Sequence, residues 1–262
     1  MKILYYDCFA GISGDMHLGA MIDAGVDPEH LLNELKKLPL DGYKVKITRD
    51  QRKSIEGTRV DIIVEGGHVH HHHHNDDHHH GHDHDHNHHH HHHHEEHPHH
   101  HEHRNLADIK KIISESGLPE ETKTRAMKMF LLIAEAEAKI HGVSVDEIHF
   151  HEVGAVDSIV DITGAAICLE YLKPDRILSS TIELGSGMVK CAHGLMPVPA
   201  PATAEILKNI PVKIGSTPHE ATTPTGAAIL AANVDEFTDR QLTELDSAIR
   251  SCQIFCGFIS GK

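Results

Sequence analysis

Positive charge is scarce in this 262-residue chain: 24 Lys and Arg stand against 39 Asp and Glu, a formal net charge of −15 with histidine neutral. That deficit argues against a surface that tracks nucleic-acid phosphates or docks on anionic lipid, because both need clustered cations. Long apolar runs are missing too, and no stretch approaches the ~18 consecutive apolar residues of a membrane span. The N-terminal Met1-Lys2-Ile3-Leu4-Tyr5-Tyr6-Asp7 meets an acid before a signal-peptide core forms. Cysteine is sparse: Cys8, Cys168, Cys191, Cys252 and Cys256 are odd in number and scattered, with no C-x-x-C pair, which suits a reducing compartment. H-E-x-x-H, a Walker sequence, an assignable Ser/His/Asp order and any internal repeat are absent as well. These absences predict a soluble, cytoplasmic protein with no nucleic-acid and no membrane partner.

What the chain has in excess is histidine. Of 31 histidines, 24 fall between His68 and His103, together with seven acids and no Lys or Arg, so the remainder carries 32 acids against 24 cations, a net of −8. Neutral imidazole binds Ni, Zn, Cu and Co, and many spaced imidazoles on one flexible segment wrap such ions in alternative ways. The metal ligands are expected among His70, His71, His72, His73, His74, His78, His79, His80, His82, His84, His86, His88, His89, His90, His91, His92, His93 and His94. In so redundant a set a single substitution changes little. A purification tag is short and terminal, whereas this tract is internal and interleaved with Asp, Asn, Gly and Glu; a solubilising linker is the other plain reading. Metal identity is not encoded, because raw affinity favours copper over nickel or zinc.

Around the tract the patterning predicts an α/β (or α+β) body, a mixed sheet with flanking helices interrupted by a disordered His-rich insertion. Ile3–Tyr6 reads as a strand, Asp7–Gly14 as a turn, and Met16, Leu18, Met21 and Ile22 as one helix face. Asp27-Pro28 opens a second helix, and residues 45–47 and 60–64 alternate as strands. Asn105 or Asp108 opens a further helix; Pro119-Glu120-Glu121 opens the longest one, with Ala126, Met129 or Phe130, Ile133, Ala136 and Ile140 on one face and His141-Gly142 at its end. Asp157 is expected to cap a helix running to Leu172, and helices are expected near 202–207 and 225–232. The predicted organisation is 1–67 and 104–250 as two parts of one globular domain, 68–103 as the metal-binding insertion, and 251–262 as an atypical tail.

Four segments carry candidate chemistry. In Asp7-Cys-Phe-Ala-Gly11-Ile-Ser13-Gly14-Asp15-Met-His17, glycines between strand and helix leave N–H groups open to an anion, and Asp15 and His17 offer a carboxylate and an imidazole; a tight turn with an acidic cap is equally good physics. His149-Phe150-His151-Glu152 puts two imidazoles on one side of an extended segment, with Asp157 and Asp161 one helical turn apart just beyond. It is the best candidate for a folded metal or acid/base site, against a plain turn and a helix with Asp161 on its polar face. The loop Gly185–Gly194 combines Lys190, Cys191 and His193 with flexible backbone, or is a simple hairpin. His219-Glu220 and Thr222-Thr-Pro-Thr-Gly226 offer hydroxyls and N–H groups to an anion, or to a helix cap.

Taken together, Asp7–Met21, His149–Asp161, Gly185–Pro201 and Thr222–Gly226 resemble the LarC family, nickel insertion proteins that complete the nickel-pincer cofactor of lactate racemase. The resemblance spans Lys2 to about Asp246. It implies a CTP-dependent cyclometallase of the lyase class that inserts nickel(II) into pyridinium-3,5-bisthiocarboxylic acid mononucleotide, making two Ni–S bonds and one Ni–C bond, with Mg2+ or Mn2+ accompanying CTP and apo lactate racemase as recipient. On chemical grounds His149, His151 and Glu152 are the candidates for nickel or proton handling, and Gly11, Ser13, Gly14, Asp15 and Lys190 for the mononucleotide phosphate. The family continues into a C-terminal domain associated with CTP binding and oligomer assembly, and the last residues here do not look like that continuation. The expected protein is therefore the N-terminal portion of a larger enzyme that depends on a C-terminal domain, or on a longer form, for turnover. The alternative is a nickel chaperone or store whose tract is its function.

Overall fold

The computed structural model describes residues 1–52, 55–65, 104–150, 153–191, 193–238 and 250–255, with backbone alone at 52, 55 and 250–255. The His-rich tract lies outside the described residues. Strand β1 (Lys2–Asp7) is central in a four-stranded parallel sheet of order β10-β1-β4-β9, with β4 at Arg176–Ser179, β9 at Glu236–Phe237 and β10 at Arg250–Phe255. The period-2 alternation of β1 decides its two faces: Leu4 and Tyr6 enter the main core, while Ile3 and Tyr5 pack with Leu178 on the other side. The α/β expectation holds, with parallel and antiparallel ladders segregated rather than interleaved. β2 (Tyr43–Arg52) with β3 (Ile55–Val64), and β6 (Met188–Cys191) with β7 (Gly194–Pro197), are antiparallel pairs, and β5 (Ile182–Glu183) pairs with β8 (Val212–Lys213) in parallel. The backbone of 250–255 makes part of the expected tail an edge strand beside β1.

The helices are α1 (Gly14–Asp23), α2 (Pro28–Leu35), α3 (Leu106–Glu115), α4 (Glu120–His141), α5 (Val156–Leu172), α6 (Pro201–Ile206) and α7 (Pro224–Asn233). Their ends follow local chemistry. Asp27 accepts from Glu29 N at 2.9 Å to open α2, Asn105 and Asp108 form a reciprocal capping box on α3, and Gly142 closes α4 at φ +67°. Two expectations fail at residue level. Ala155 is the N-cap of α5, so Asp157 lies inside the first turn and accepts from Ser158 N instead. Ile140 is 42% exposed, because α4 turns Ala134, Ala136 and Ala138 inward as it approaches its end. Apolar residues from both flanks of the tract, Leu4 to Val60 and Ile109 to Ala232, share one core.

α1 approaches β3 closely at Gly19: a Cβ there falls 2.2 Å from the Thr58 carbonyl oxygen, a backbone atom that cannot step aside. Asp23, at the end of the same helix, accepts from Thr58 N at 2.8 Å and Thr58 Oγ1 at 2.7 Å. Substituting Gly19→Ala is therefore expected to cost about 1–3 kcal/mol of unfolding free energy by overpacking. Gly117→Ala, where the nearest atom is 3.5 Å away, is expected to stay within about 0.5 kcal/mol. Urea unfolding of the two variants checks both.

Candidate functional site

Strand β1 ends at Asp7, and the chain turns through Cys8–Ser13 before α1 begins. Gly11 sits at φ +83°, a conformation that favours glycine, and donates to Cys8 O at 3.1 Å. A Cβ on Gly11 falls 2.1 Å from Ala221 O, and one on Gly226 falls 2.1 Å from Ile12 O. Both gaps are backbone against backbone, so only hydrogen fits. The turn is thereby seated on 221–226, with Thr223 N donating to Ile12 O at 3.1 Å and a parallel bridge between Ile12 and Thr222. Thr223 also caps α7, accepting from Gly226 N at 3.2 Å, so the cap reading of Thr222–Gly226 is realised and places an N-terminus beside the turn.

The third wall is α5. A Cβ on Gly14 falls 2.3 Å from Asp161 Oδ2, which packs the first residue of α1 onto the second turn of α5. Asp161 is half-buried as a residue, but its Oδ1 is shut off from solvent and has no hydrogen-bond partner. Desolvation, and then the charges of Asp15 and Asp157, push its carboxyl well above the ordinary carboxylate range. Asp15 itself is exposed and accepts from Ser13 Oγ. Arg59, paired with Asp61 at 2.7 Å, also feels the Asp15 charge. The N-termini of α1 and α7, each with a partial positive charge, thus meet at one turn that rests on the second turn of α5, with Asp15, Asp157 and Asp161 around it.

A second buried acid braces the loops. Glu183, fully buried, accepts through Oε1 from Gly185 N at 2.8 Å and Ser216 N at 3.2 Å, while its own carbonyl accepts from Thr222 Oγ1 at 2.7 Å. Burial opposes its charge, but the hydrogen bonds from Ser216 and Gly185, aided by Lys213, outweigh burial and hold its carboxyl below the usual value. Glu183 escapes a motif search; its only sequence signal is an acid between Ile182 and Leu184 in a short apolar run.

The other expected groups are dispersed. His17 is fully buried, stacked on Tyr6 and hydrogen-bonded through Nε2 to the Tyr6 hydroxyl at 2.9 Å. Burial lowers its pKa to about 3, so it is a neutral core residue and does not join Asp15 at the surface. His149 is exposed and bridges Asn105, with Phe150 N donating to Arg104 O at 3.0 Å; the segment resumes where the tract ends in sequence. His151 and Glu152 lie outside the described residues. Lys190 stands exposed on β6 opposite Leu195, away from any hydrogen bond or ion pair to the Gly11–Asp15 turn among the described residues. Among the described residues no three His, Cys, Asp or Glu side chains stand ready-assembled as a metal cage, and no helix is long and apolar enough to cross a membrane. A separate depression of about 440 Å³, lined by Arg125, Lys128, Glu170 and Asn233, lies at the opposite ends of α5 and α7.

The geometry defines an α/β protein with a glycine-seated turn at the start of α1, flanked by the carboxylates of Asp15 and Asp161. The nickel insertion protein family model matches residues 4–249, and the chain belongs to that family. It is 58% identical over 241 residues to the pyridinium-3,5-bisthiocarboxylic acid mononucleotide nickel insertion protein of Clostridium acetobutylicum, covering 92% of this chain and 57% of that protein. To the protein of the same name in Clostridium kluyveri it is 54% identical over 242 residues (92% and 55%), and to a putative nickel insertion protein of Maridesulfovibrio salexigens 60% identical over 250 residues (95% and 58%). The chain thus spans little more than half the length of these relatives. No solved structure matches it.

The raised carboxyl of Asp161 sets a pH dependence. Folded Asp161 keeps its proton above the ordinary value of 3.8 while the unfolded chain has released it, so the folded state loses stability as the pH rises from 3.8 through the raised value. Asp161→Asn, which cannot ionise, is expected to be more stable than the parent at pH 7 and to lose that advantage near pH 3. Denaturant midpoints of the pair across this range test it, because the opposite pull of His17 is common to both proteins.

Proposed function

We propose that this chain carries the nickel-handling part of a cyclometallation in which nickel(II) is inserted into pyridinium-3,5-bisthiocarboxylic acid mononucleotide to make the nickel-pincer cofactor of lactate racemase. The observation that carries the reading is the meeting of the N-termini of α1 and α7 at the Gly11–Asp15 turn, with the buried, proton-holding Asp161 of α5 beside it. The open N–H groups of the turn suit the mononucleotide phosphate. Asp15 and Asp157 suit the divalent cation that must offset a phosphate placed among acids.

Forming the Ni–C bond displaces a ring proton, which needs an acceptor. Asp161 in its ionised form is the base we assign: a divalent cation bound beside it favours release to solvent of the proton it holds in the folded protein, and the freed carboxylate, more basic than an ordinary one, then takes the ring proton. His149, with His151 and Glu152 beside it in sequence, is the group we assign to nickel delivery, next to the end of the histidine tract. CTP, with Mg2+ or Mn2+, is assigned to the part of the relatives' length that this chain does not span, and apo lactate racemase is the recipient. Buried free thiols at Cys8 and Cys168 accord with a cytoplasmic setting.

The 24-histidine tract favours a second reading, a nickel store without turnover. The test is a single-turnover assay with nickel(II), CTP, Mg2+ or Mn2+ and the mononucleotide precursor, run with and without the C-terminal portion of a relative and read as activation of apo lactate racemase. Asp161→Asn is expected to lower the rate about 100-fold, the scale of a lost general base. Deleting 68–103 is expected to leave insertion intact at saturating nickel; its abolition there favours the store, and an unchanged Asp161→Asn rate removes Asp161 from the chemistry.

A further inference from the structure

The hairpin β6–β7 carries His193 at its tip, against the C-terminal end of α4. The ring of His141, the last residue of α4, lies 5.0 Å from that of His193 between centroids, with the planes inclined at 40°. One helical turn earlier, Glu137 Oε2 stands 3.4 Å from His141 Nε2. That spacing is long for a charge-assisted hydrogen bond, ~2.7–2.9 Å. It matches two donor atoms each ~2.1 Å from one tetrahedral ion, which stand ~3.4 Å apart. Both histidines are exposed, so an ion in bulk water reaches them. The site also lies at the negative end of the α4 dipole, where a cation is favoured, and Lys139 beside it is paired with Glu205 at 2.6 Å.

We propose that Glu137, His141 and His193 take up one divalent transition metal of borderline softness, nickel(II) or zinc(II), at a second site separate from the Gly11–Asp15 turn. Two imidazoles and one carboxylate are ligands of that class. The three donors are not a closed cage as they stand; metal binding requires the His193 side chain, on an exposed hairpin tip, to turn toward His141 and Glu137. Metal binding then ties the hairpin to α4. Because β6 follows Gly185-Ser-Gly187, whose first amide is held by Glu183 and whose last carbonyl accepts from Val198 N at 3.0 Å, the ion fixes a loop continuous with the braced loops of the turn, and Lys190 with it. The proposal does not rest on the nickel-insertion reading.

Hydrogen exchange of the 262-residue chain, read by mass spectrometry with and without nickel(II), tests it in the parent, His141→Gln and His193→Gln. All three keep the same histidine tract, so differences between them report the folded site. Nickel is expected to slow exchange at least threefold over both 135–143 and 188–197 in the parent and to have no such effect in either variant, with all three alike in its absence. Parent exchange that nickel leaves unchanged, or protection that survives His193→Gln, overturns the site.

Discussion

The close seating of the Gly11–Gly14 turn on its neighbours is the constraint from which the rest of the site follows. At Gly11 and Gly226 the opposing atoms are carbonyl oxygens of Ala221 and Ile12, so no side chain can be accommodated by a rotamer change. With both positions bare, Thr223 N reaches Ile12 O and α7 begins directly beside α1. Gly14 does the same toward α5, at the Asp161 carboxyl. Replace the hydrogen of Gly11 or Gly226 by a methyl group and the N-termini of α1 and α7 must separate, which removes the shared positive end that makes the turn suited to an anion.

Electrostatically the site is out of balance by itself. Desolvation first, and then the charges of Asp15 and Asp157, favour the protonated form of Asp161. Such a group costs stability at neutral pH, and a cost of that kind is characteristic of sites that do chemistry. Glu183 shows the contrast: equally an acid, and fully buried, it is supplied with backbone donors from Gly185 and Ser216 and stays ionised, bracing loops rather than exchanging protons. Glu183 has backbone donors on Oε1, whereas Asp161 Oδ1 has none and desolvation governs its carboxyl.

Local signals made much of the fold legible in the sequence. The apolar spacing of α4 as far as Ala136, the opening of a helix at Asn105 and the alternation in β2 and β3 are all decided by near neighbours, and they stand in the structure as the patterning predicts. Where burial is decided by distant residues, the sequence was ambiguous or misleading. Ile140 continues a helical stripe yet faces solvent, because the core ends before the helix does. Asp161 could have lain on a polar helix face; it packs instead against Gly14, 147 positions away in the chain. His17, two residues from the exposed Asp15, points into the core, where Tyr6 receives it. The glycine-rich character of the site was visible beforehand, whereas its partners were not, since a bare glycine announces close approach without naming what approaches.

The account stands or falls on the protonation of Asp161 in the folded protein. The direct measurement is a pH titration of its side-chain carboxyl carbon by 13C NMR, assigned by comparison with Asp161→Asn. A midpoint well above 3.8 is the predicted result. A midpoint at the ordinary aspartate value would mean that the carboxyl is solvated, that the turn does not enclose it, and that it is no better a base than any surface acid.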